Sequence, residues 1–86
     1  MFVILTYDVG KKRVSRILKI CRRYLVHVQN SVFEGHITEA KLNSLKNEIE
    51  RQIEKQADSV CIYRFENTKY ASKEQIGYVT IHENII

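Results

Sequence analysis

Asp8 is the side chain with the most evident capacity for chemistry, because it is a lone carboxylate near the end of an apolar run. The run, residues 1–9, is rich in β-branched side chains, and no other acid occurs among residues 1–33. An Asp at the end of a strand can cap the helix that follows it. Alternatively, its oxygens can bind a hard divalent cation such as Mg²⁺, which takes about six oxygen ligands, several of them water.

A complete metal site requires more than this one carboxylate. The neighbouring sequence offers no second acid, so one chain alone does not supply a self-sufficient site. Two copies related by symmetry would bring two Asp8 side chains together, and a cation between them would relieve the repulsion of their charges. Such a cation can activate water for attack on a phosphodiester.

The histidines and cysteines offer weaker sites. His27, His36 and His82 lack the spacing and the Glu of a His-Glu-x-x-His motif, so nothing supports a histidine metal site or general base. Cys21 and Cys61 lie far apart without a Cys-x-x-Cys pair, which favours two buried thiols. The sequence also lacks the alternating Gly and aromatic pattern by which some open sheets bind single-stranded RNA.

Positive charge is concentrated in the first part of the chain. Residues 1–24 contain seven Lys or Arg and one acid, a net charge of +6, whereas residues 25–86 contain seven basic and nine acidic residues, a net charge of −2. A charge run is usually a solvated helix face. However, like charges four residues apart repel on a helix, which makes contact with nucleic acid or phosphate the alternative. The basic residues at helical spacing are Lys12, Arg16, Lys19 and Arg23, flanked by Lys11, Arg13 and Arg22.

Hydrophobic periodicity predicts the elements that position these residues. Residues 1–9 alternate as a strand that is apolar on both sides, which is typical of a central strand. Residues 26–37 predict two short strands joined near residues 29–31. Between them, residues 11–25 have the spacing of an amphipathic helix, with an apolar stripe of Val14, Ile17, Leu18, Cys21, Tyr24 and Leu25.

The second half of the chain predicts one more helix and two more strands. Thr38 is placed to cap a helix that runs to about Gln56, and mixed charges on the outer side of this helix predict a structural, solvated element. Its inward stripe is Leu42, Leu45, Ile49 and Ile53. Residues 59–65 alternate as a strand, residues 66–75 predict a polar loop, and residues 77–81 predict a short final strand.

The order of these elements predicts an α+β fold of the ferredoxin-like βαββαβ type with an extra C-terminal strand. We expect residues 1–86 to form a single domain, and 44% hydrophobic with 28% charged residues indicates an ordered globular protein. Helices on one sheet face leave the other open, so we expect a homodimer in which the strand at about 77–81 pairs with the partner's sheet. The apolar run is too short to span a bilayer, so we expect a cytoplasmic protein without a membrane partner.

Three features together resemble the small CRISPR-associated Cas2 family, the partner of the Cas1 integrase. They are Tyr7-Asp8-Val9 at the end of the first strand, the basic helix, and Gln29-Asn30-Ser31-Val32-Phe33-Glu34-Gly35. The resemblance spans residues 2–81, and the Gln29 to Gly35 segment is its more specific part. It implies a ferredoxin-like homodimer that binds Mg²⁺ or Mn²⁺ through Asp8 of both chains and cleaves RNA or double-stranded DNA as an endonuclease.

The resemblance also implies residue roles and partners. Asp8 would be the catalytic metal ligand, supported by Tyr7, Ser31 and Phe33, although Phe33 is equally compatible with plain core. Among the basic residues, the resemblance carries a nucleic-acid role over to Arg13 and Arg16, and the helical spacing adds Lys12, Lys19 and Arg23. The nucleic acid would be double-stranded DNA or single-stranded RNA. Members of the family also bridge Cas1 dimers and hold duplex DNA, so a non-catalytic scaffold is the alternative to a nuclease. A toxin-like messenger-RNA interferase on the same fold is a third hypothesis, which the absence of a neighbouring integrase gene would favour.

Overall fold

The computed structural model describes residues 1–66 and 71–77. Its elements, in chain order, are β1 (Phe2–Asp8), α1 (Lys11–Arg22), β2 (Val26–Gln29), β3 (Val32–His36), α2 (Glu39–Gln52), β4 (Ser59–Phe65) and β5 (Ala71–Gly77). The strands form one antiparallel sheet in the order β2-β3-β1-β4-β5. The first four strands and the two helices therefore have the ferredoxin-like βαββαβ arrangement that the sequence predicts. Neither helix in the described ranges is long and apolar enough to cross a membrane.

Strand β1 lies at the centre of the sheet, between β3 and β4. Its side chains alternate as predicted: Val3 and Leu5 are fully buried on the face that the helices cover, whereas Ile4 and Thr6 are partly exposed on the other face. Because directly opposed residues of paired strands share a face, Tyr63 of β4, which pairs with Ile4, also lies on the open face. The expected open sheet face is thus present in the described chain.

Helix α1 packs on the sheet through Ile17, Ile20 and Cys21. The predicted inward stripe omitted Ile20 and wrongly included Val14, which is 37% exposed. The first turn of α1 lies at the end of the sheet, where Val14 lines a surface groove instead of the core. The helix also ends earlier than predicted, at Arg22, because the chain turns there and leads into β2.

A bulged hairpin joins β2 to β3. Asn30 adopts a left-handed conformation with a φ of 41°, which Asn tolerates better than most residues. The pairing register shifts between His27 and Gln29, so one extra residue is accommodated as a bulge. The two predicted strands and the turn between them are confirmed.

Helix α2 begins with the predicted cap, since the Thr38 hydroxyl oxygen accepts a hydrogen bond from the Lys41 amide at 3.2 Å. Leu42, Leu45 and Ile49 are buried against the sheet. The helix ends at Gln52 and not near Gln56. Beyond it, the amides of Ala57 and Asp58 both donate to the Glu54 carbonyl, at 2.9 and 2.7 Å, in a turn that leads Asp58 inward.

Strand β5 was not predicted, and the expected loop over residues 66–75 is wrong from Ala71 onward. Residues 71–77 pair along the whole of β4. This strand forms one edge of the sheet within the described residues, and edge strands commonly carry charged side chains that hide the apolar alternation. Of the strand predicted at 77–81, only the first position belongs to the described residues. His82 also lies outside the described residues.

Charged side chains tie α2 to the edge of the sheet on the helix-covered face. Lys46 of α2 pairs with Glu74 of β5 at 2.6 Å, and Arg64 of β4 contacts both Glu74 and Glu39. The outer charges of α2 are therefore partly engaged in tertiary contacts, which the sequence pattern did not indicate.

Candidate metal and nucleic-acid sites

Asp8 is the last residue of β1 and is exposed to solvent. Its Cα lies opposite that of Ser59 on the neighbouring strand β4. Within residues 1–66 and 71–77, the Asp8 carboxylate makes no hydrogen bond or ion pair. Gly10, not Asp8, is the N-cap of α1, and that position has no side-chain cap. The helix-capping alternative for Asp8 is therefore wrong, and its oxygens are free to bind a ligand.

An open groove surrounds Asp8 at this end of the sheet. The groove is lined by Tyr7, Asp8, Val9, Val14, Asn30 and Ser31. The Ser31 carbonyl accepts a hydrogen bond from the Tyr7 amide at 3.2 Å, which holds the β2–β3 turn against the end of β1. The structure thus brings together Asp8 and Ser31, two of the residues that the resemblance groups in one site.

Tyr7 and Phe33 pack against each other on the helix-covered face of the sheet, next to that groove. Phe33 is fully buried and Tyr7 is 8% exposed, and their rings stack with centroids 6.2 Å apart. His27 stacks on Phe33 with centroids 4.6 Å apart. Burial raises the pKa of the Tyr7 hydroxyl. Phe33 does not line the groove, so its contacts are those of a core residue.

The donor set of one chain fits half of a metal site. No group of three or more His, Cys, Asp or Glu side chains converges anywhere in the described ranges. Asp8 supplies one carboxylate, and Asn30 and Ser31 of the turn beside it line the same groove. Mg²⁺ retains several waters and needs few protein ligands, so two such half-sites together would fit it.

The predicted basic residues of α1 have different surroundings. Lys12 and Lys19 are exposed and have no hydrogen bond or ion pair to any residue in the described part of the chain. Arg16 donates to the Gln52 side chain at 3.3 Å, and Arg23 pairs with Glu48. Arg13, which flanks these basic residues in the sequence, pairs with the buried Asp58. Nucleic-acid contact by these five residues stays a prediction.

A groove between α1 and α2 extends the basic surface beyond α1. Four cationic side chains and one acid line it, together with Ile20 and Gln52: they are Arg16, Lys19, Arg23, Arg51 and Glu48. Hydrogen bonds from Tyr24 and Arg23 lower the pKa of Glu48, so this acid is ionised and already paired. Arg51 was missed because the mixed charges of α2 gave no basic pattern, and only the packing of the helices reveals it.

The other residue that sequence reasoning missed is Asp58. Its side chain is completely buried and pairs with Arg13. This guanidinium, with the amides of Glu54 and Gly10, lowers the pKa of Asp58 to about 2. An acid just before a buried strand was the only local signal, because Gly10 and Arg13 lie more than forty residues away.

Comparison with known proteins identifies a family for this chain. Residues 1–73 match the family described as CRISPR associated protein Cas2. The chain is 47% identical over 77 residues to the CRISPR-associated endoribonuclease Cas2 of Dictyoglomus turgidum, covering 90% of this chain and 88% of that protein. The figures are the same for the Cas2 endoribonuclease of Thermotoga maritima.

Solved structures agree with the sequence comparison. A crystal structure of cas2 superposes with a TM-score of 0.75 at 41% identity, covering 81% of this chain and 79% of that one. The structure of Streptococcus pyogenes Cas2 gives a TM-score of 0.70 at 35% identity, covering 76% of this chain and 86% of that one. The family resemblance is thereby confirmed, and the chain belongs to the CRISPR-associated Cas2 family.

Proposed function

We propose that this protein is a metal-dependent endoribonuclease of CRISPR adaptation and that Asp8 is its catalytic metal ligand. The observation that carries the proposal is an exposed carboxylate without a partner in the described chain, placed at the end of the central strand. Its curated relatives from Dictyoglomus turgidum and Thermotoga maritima are named endoribonucleases. A carboxylate without a hydrogen bond or ion pair to the described residues is available for chemistry.

The site requires a second copy of the chain, which the open face of the sheet can receive. Phe2 and Ile4 are partly exposed there, and Tyr63 of the neighbouring strand is 37% exposed. Phe2 packs on Phe65 and His36 with ring centroids 6.4 and 5.2 Å away, so the apolar patch is continuous across three strands. Stacking two such faces about a two-fold axis near the end of β1 would bring the two Asp8 side chains together.

Asp8 of each chain would hold Mg²⁺ or Mn²⁺, directly or through water. When bound, the cation supplies a Lewis acid that lowers the pKa of a water molecule and neutralises charge on the scissile phosphate. The chain itself orients the substrate: the β2–β3 turn, fixed by the contact between Ser31 and Tyr7, forms one wall of the groove. Exposed cations of α1 such as Lys12 would bind backbone phosphates without reading sequence.

The test compares wild type with Asp8→Asn, purified in parallel, on single-stranded RNA and duplex DNA. Both are assayed across pH and across Mg²⁺ and Mn²⁺ concentration, with Glu50→Gln on the exposed side of α2 as a control that removes a charge elsewhere. We expect Asp8→Asn to lose at least about 100-fold in RNA cleavage, because it lacks the charged ligand, and Glu50→Gln to cleave normally. Wild-type cleavage by Asp8→Asn would refute the enzymatic assignment.

A second function, a DNA-binding scaffold that bridges Cas1 dimers in the integration complex, is favoured by the groove between α1 and α2. Four cations line this groove together with one acid, which already pairs with Arg23. Double-stranded DNA lying along this groove would be bound through phosphates, with affinity that falls steeply as salt rises. Nuclease activity is not needed for such a role.

Charge reversal tests the scaffold function separately. Lys12 and Lys19 have no partner within the described ranges, so Lys12→Glu/Lys19→Glu reverses two charges without breaking an ion pair. Lys41→Glu/Lys55→Glu, which reverses two exposed charges outside the groove, is the matched control. We expect Lys12→Glu/Lys19→Glu to lower duplex DNA affinity and to reduce the salt slope by about one for each phosphate that is no longer neutralised. A flat salt dependence in the wild type would contradict this function. Normal spacer acquisition by Asp8→Asn, with none by Lys12→Glu/Lys19→Glu, would favour scaffold over nuclease.

A further inference from the structure

Asp58 is the most completely satisfied charge in the described chain. One carboxylate oxygen accepts from the Gly10 amide and from Arg13 Nη2, both at 2.9 Å. The other accepts from the Glu54 amide at 2.9 Å and from Arg13 Nε. The side chain is 0% exposed. With four donors on two oxygens and no exposure, this acid has no capacity left for a metal, so its role is to hold other groups in place.

The groups that Asp58 holds lie next to the candidate catalytic acid. Gly10 follows Asp8 by two residues and is the N-cap of α1, and Ser59, the residue after Asp58, pairs with Asp8 across β4. The short turn after Asp8 is therefore fixed on one side by the β-ladder and on the other by the Asp58 carboxylate. Both contacts therefore act on the backbone next to Asp8.

Gly10 is part of the same arrangement because it lets Arg13 lie directly over the turn. A Cβ atom at position 10 would stand 2.5 Å from Arg13 Nη2, closer than any ordinary contact. Any larger residue would thus require the Arg13 guanidinium to shift. Gly10, Arg13 and Asp58 form a unit, which we call the Asp58 clasp.

We propose that Asp58 is a positioning residue for the Asp8 site, acting through Gly10 and Arg13. Arg13 is thereby assigned a structural role in the clasp. The catalytic consequence rests on the proposed nuclease function, because it matters only if Asp8 must meet its counterpart in a second copy. A metal shared by two chains tolerates little displacement of either ligand, since an error of 1 Å at a catalytic group can cost on the order of 100-fold in rate.

The experiment measures the turn and the activity independently. Asp58→Ala removes the acceptor for all four donors, and Glu74→Ala is the matched control, because Glu74 is also an acid bound by two donors, Lys46 and Arg64, and lies outside both grooves. Amide hydrogen exchange by NMR in metal-free protein follows the Gly10 amide. We expect its exchange rate to rise at least about tenfold in Asp58→Ala and to stay within about twofold of wild type in Glu74→Ala.

Activity is then measured at a temperature where each variant is folded. We expect Asp58→Ala to lower kcat about tenfold and to raise the Mg²⁺ concentration needed for half-maximal rate, with the KM for RNA changed less than about twofold. A purely structural residue would not separate kcat from KM in this way. If Asp58→Ala does not fold, Arg13→Lys replaces it, because Lys keeps the charge but not the two-pronged contact.

Two outcomes overturn the proposal: unchanged exchange at Gly10, or a loss confined to KM. Its failure is distinguishable from failure of the nuclease function. If the wild type does not cleave RNA, or if Asp8→Asn cleaves normally, the nuclease function fails, and exchange at Gly10 alone decides whether the Asp58 clasp fixes the turn. If Asp8→Asn is inactive and Asp58→Ala shows wild-type exchange and kcat, only the positioning role is wrong.

Discussion

The two faces of β1 differ in what they do with similar side chains. On one face, Val3 and Leu5 are 0% exposed beneath the helices. On the other face, Phe2, Ile4 and Thr6 are partly exposed, although Phe2 and Ile4 are apolar. The side chains on this face end with Asp8, which is exposed. One strand thus contributes to the core of a single chain on its covered face, and it presents apolar side chains and a carboxylate to solvent on its open face.

This difference separates stability from activity in the molecule. Substitutions on the covered face should lower the free energy of unfolding of each chain, because they leave cavities in a packed interior. Substitutions on the open face should alter association and the Asp8 site while each chain stays folded. The Asp58 clasp should affect both stability and activity, because Asp58 is buried with the core and also accepts a hydrogen bond from the turn after Asp8.

The largest expected effect is on the covered face. Phe33→Ala should lower the free energy of unfolding by about 3–5 kcal/mol, because Phe33 is fully buried and its ring stacks on those of Tyr7 and His27. Urea denaturation measures the change. Phe2→Ala on the open face is the comparison and should cost clearly less in dilute protein, where chains are separate. Equal losses would contradict the distinction between the faces.

The next effect is on association through the open face. Ile4→Arg should weaken dimerisation at least 100-fold, about 2.7 kcal/mol, because it would bury an unpaired charge between two apolar sheets. Sedimentation equilibrium measures the dissociation constant, and far-UV circular dichroism confirms that the chain is folded. Asn47→Arg on the exposed side of α2 adds the same charge elsewhere. If Ile4→Arg dimerises like the wild type, the open face is not the dimer interface.

Local periodicity is enough to predict the elements whose signals lie within a few residues. The alternation along β1 correctly separates the covered face from the open one, and the Thr38 cap identifies the start of α2. The ferredoxin-like order follows, because each element has a pattern of its own. The position of Asp8 at a strand end could likewise be predicted from residues 1–9 alone.

The features that escaped prediction depend on distant contacts. Strand β5 is defined by its pairing with β4, and its own side chains are too polar to show alternation. Arg51 joins the basic groove only through the packing of α2 on α1. Asp58 is defined by Gly10 and Arg13, which are separated from it by most of the chain. No local spacing encodes such partners.

The acid stability of the protein tests the buried part of this arrangement. The pKa of Asp58 is lowered from 3.8 to about 2 in the folded chain. Its ionised form therefore contributes stability that is fully present above pH 4 and is lost as the pH falls towards 2. Urea denaturation from pH 5 to pH 2 should show a shallower loss of stability for Asp58→Asn than for wild type, from a lower starting value. Glu50→Gln, which changes an exposed acid, should follow the wild-type slope, and a parallel slope for Asp58→Asn would contradict the assigned pKa.

The smallest expected effect is on the stability of α2, one of the two helices on the covered face of the sheet. Thr38→Ala should lower the free energy of unfolding by about 1 kcal/mol, because the Lys41 amide loses its acceptor, and Thr38→Ser should restore most of it. Since Thr38 lies at the start of α2 and outside the Asp8 groove, the dimer dissociation constant and RNA cleavage should not change at temperatures where the variant is folded. A change in either would show that the covered face transmits strain to the open one, and the separation of stability from activity along β1 would then be wrong.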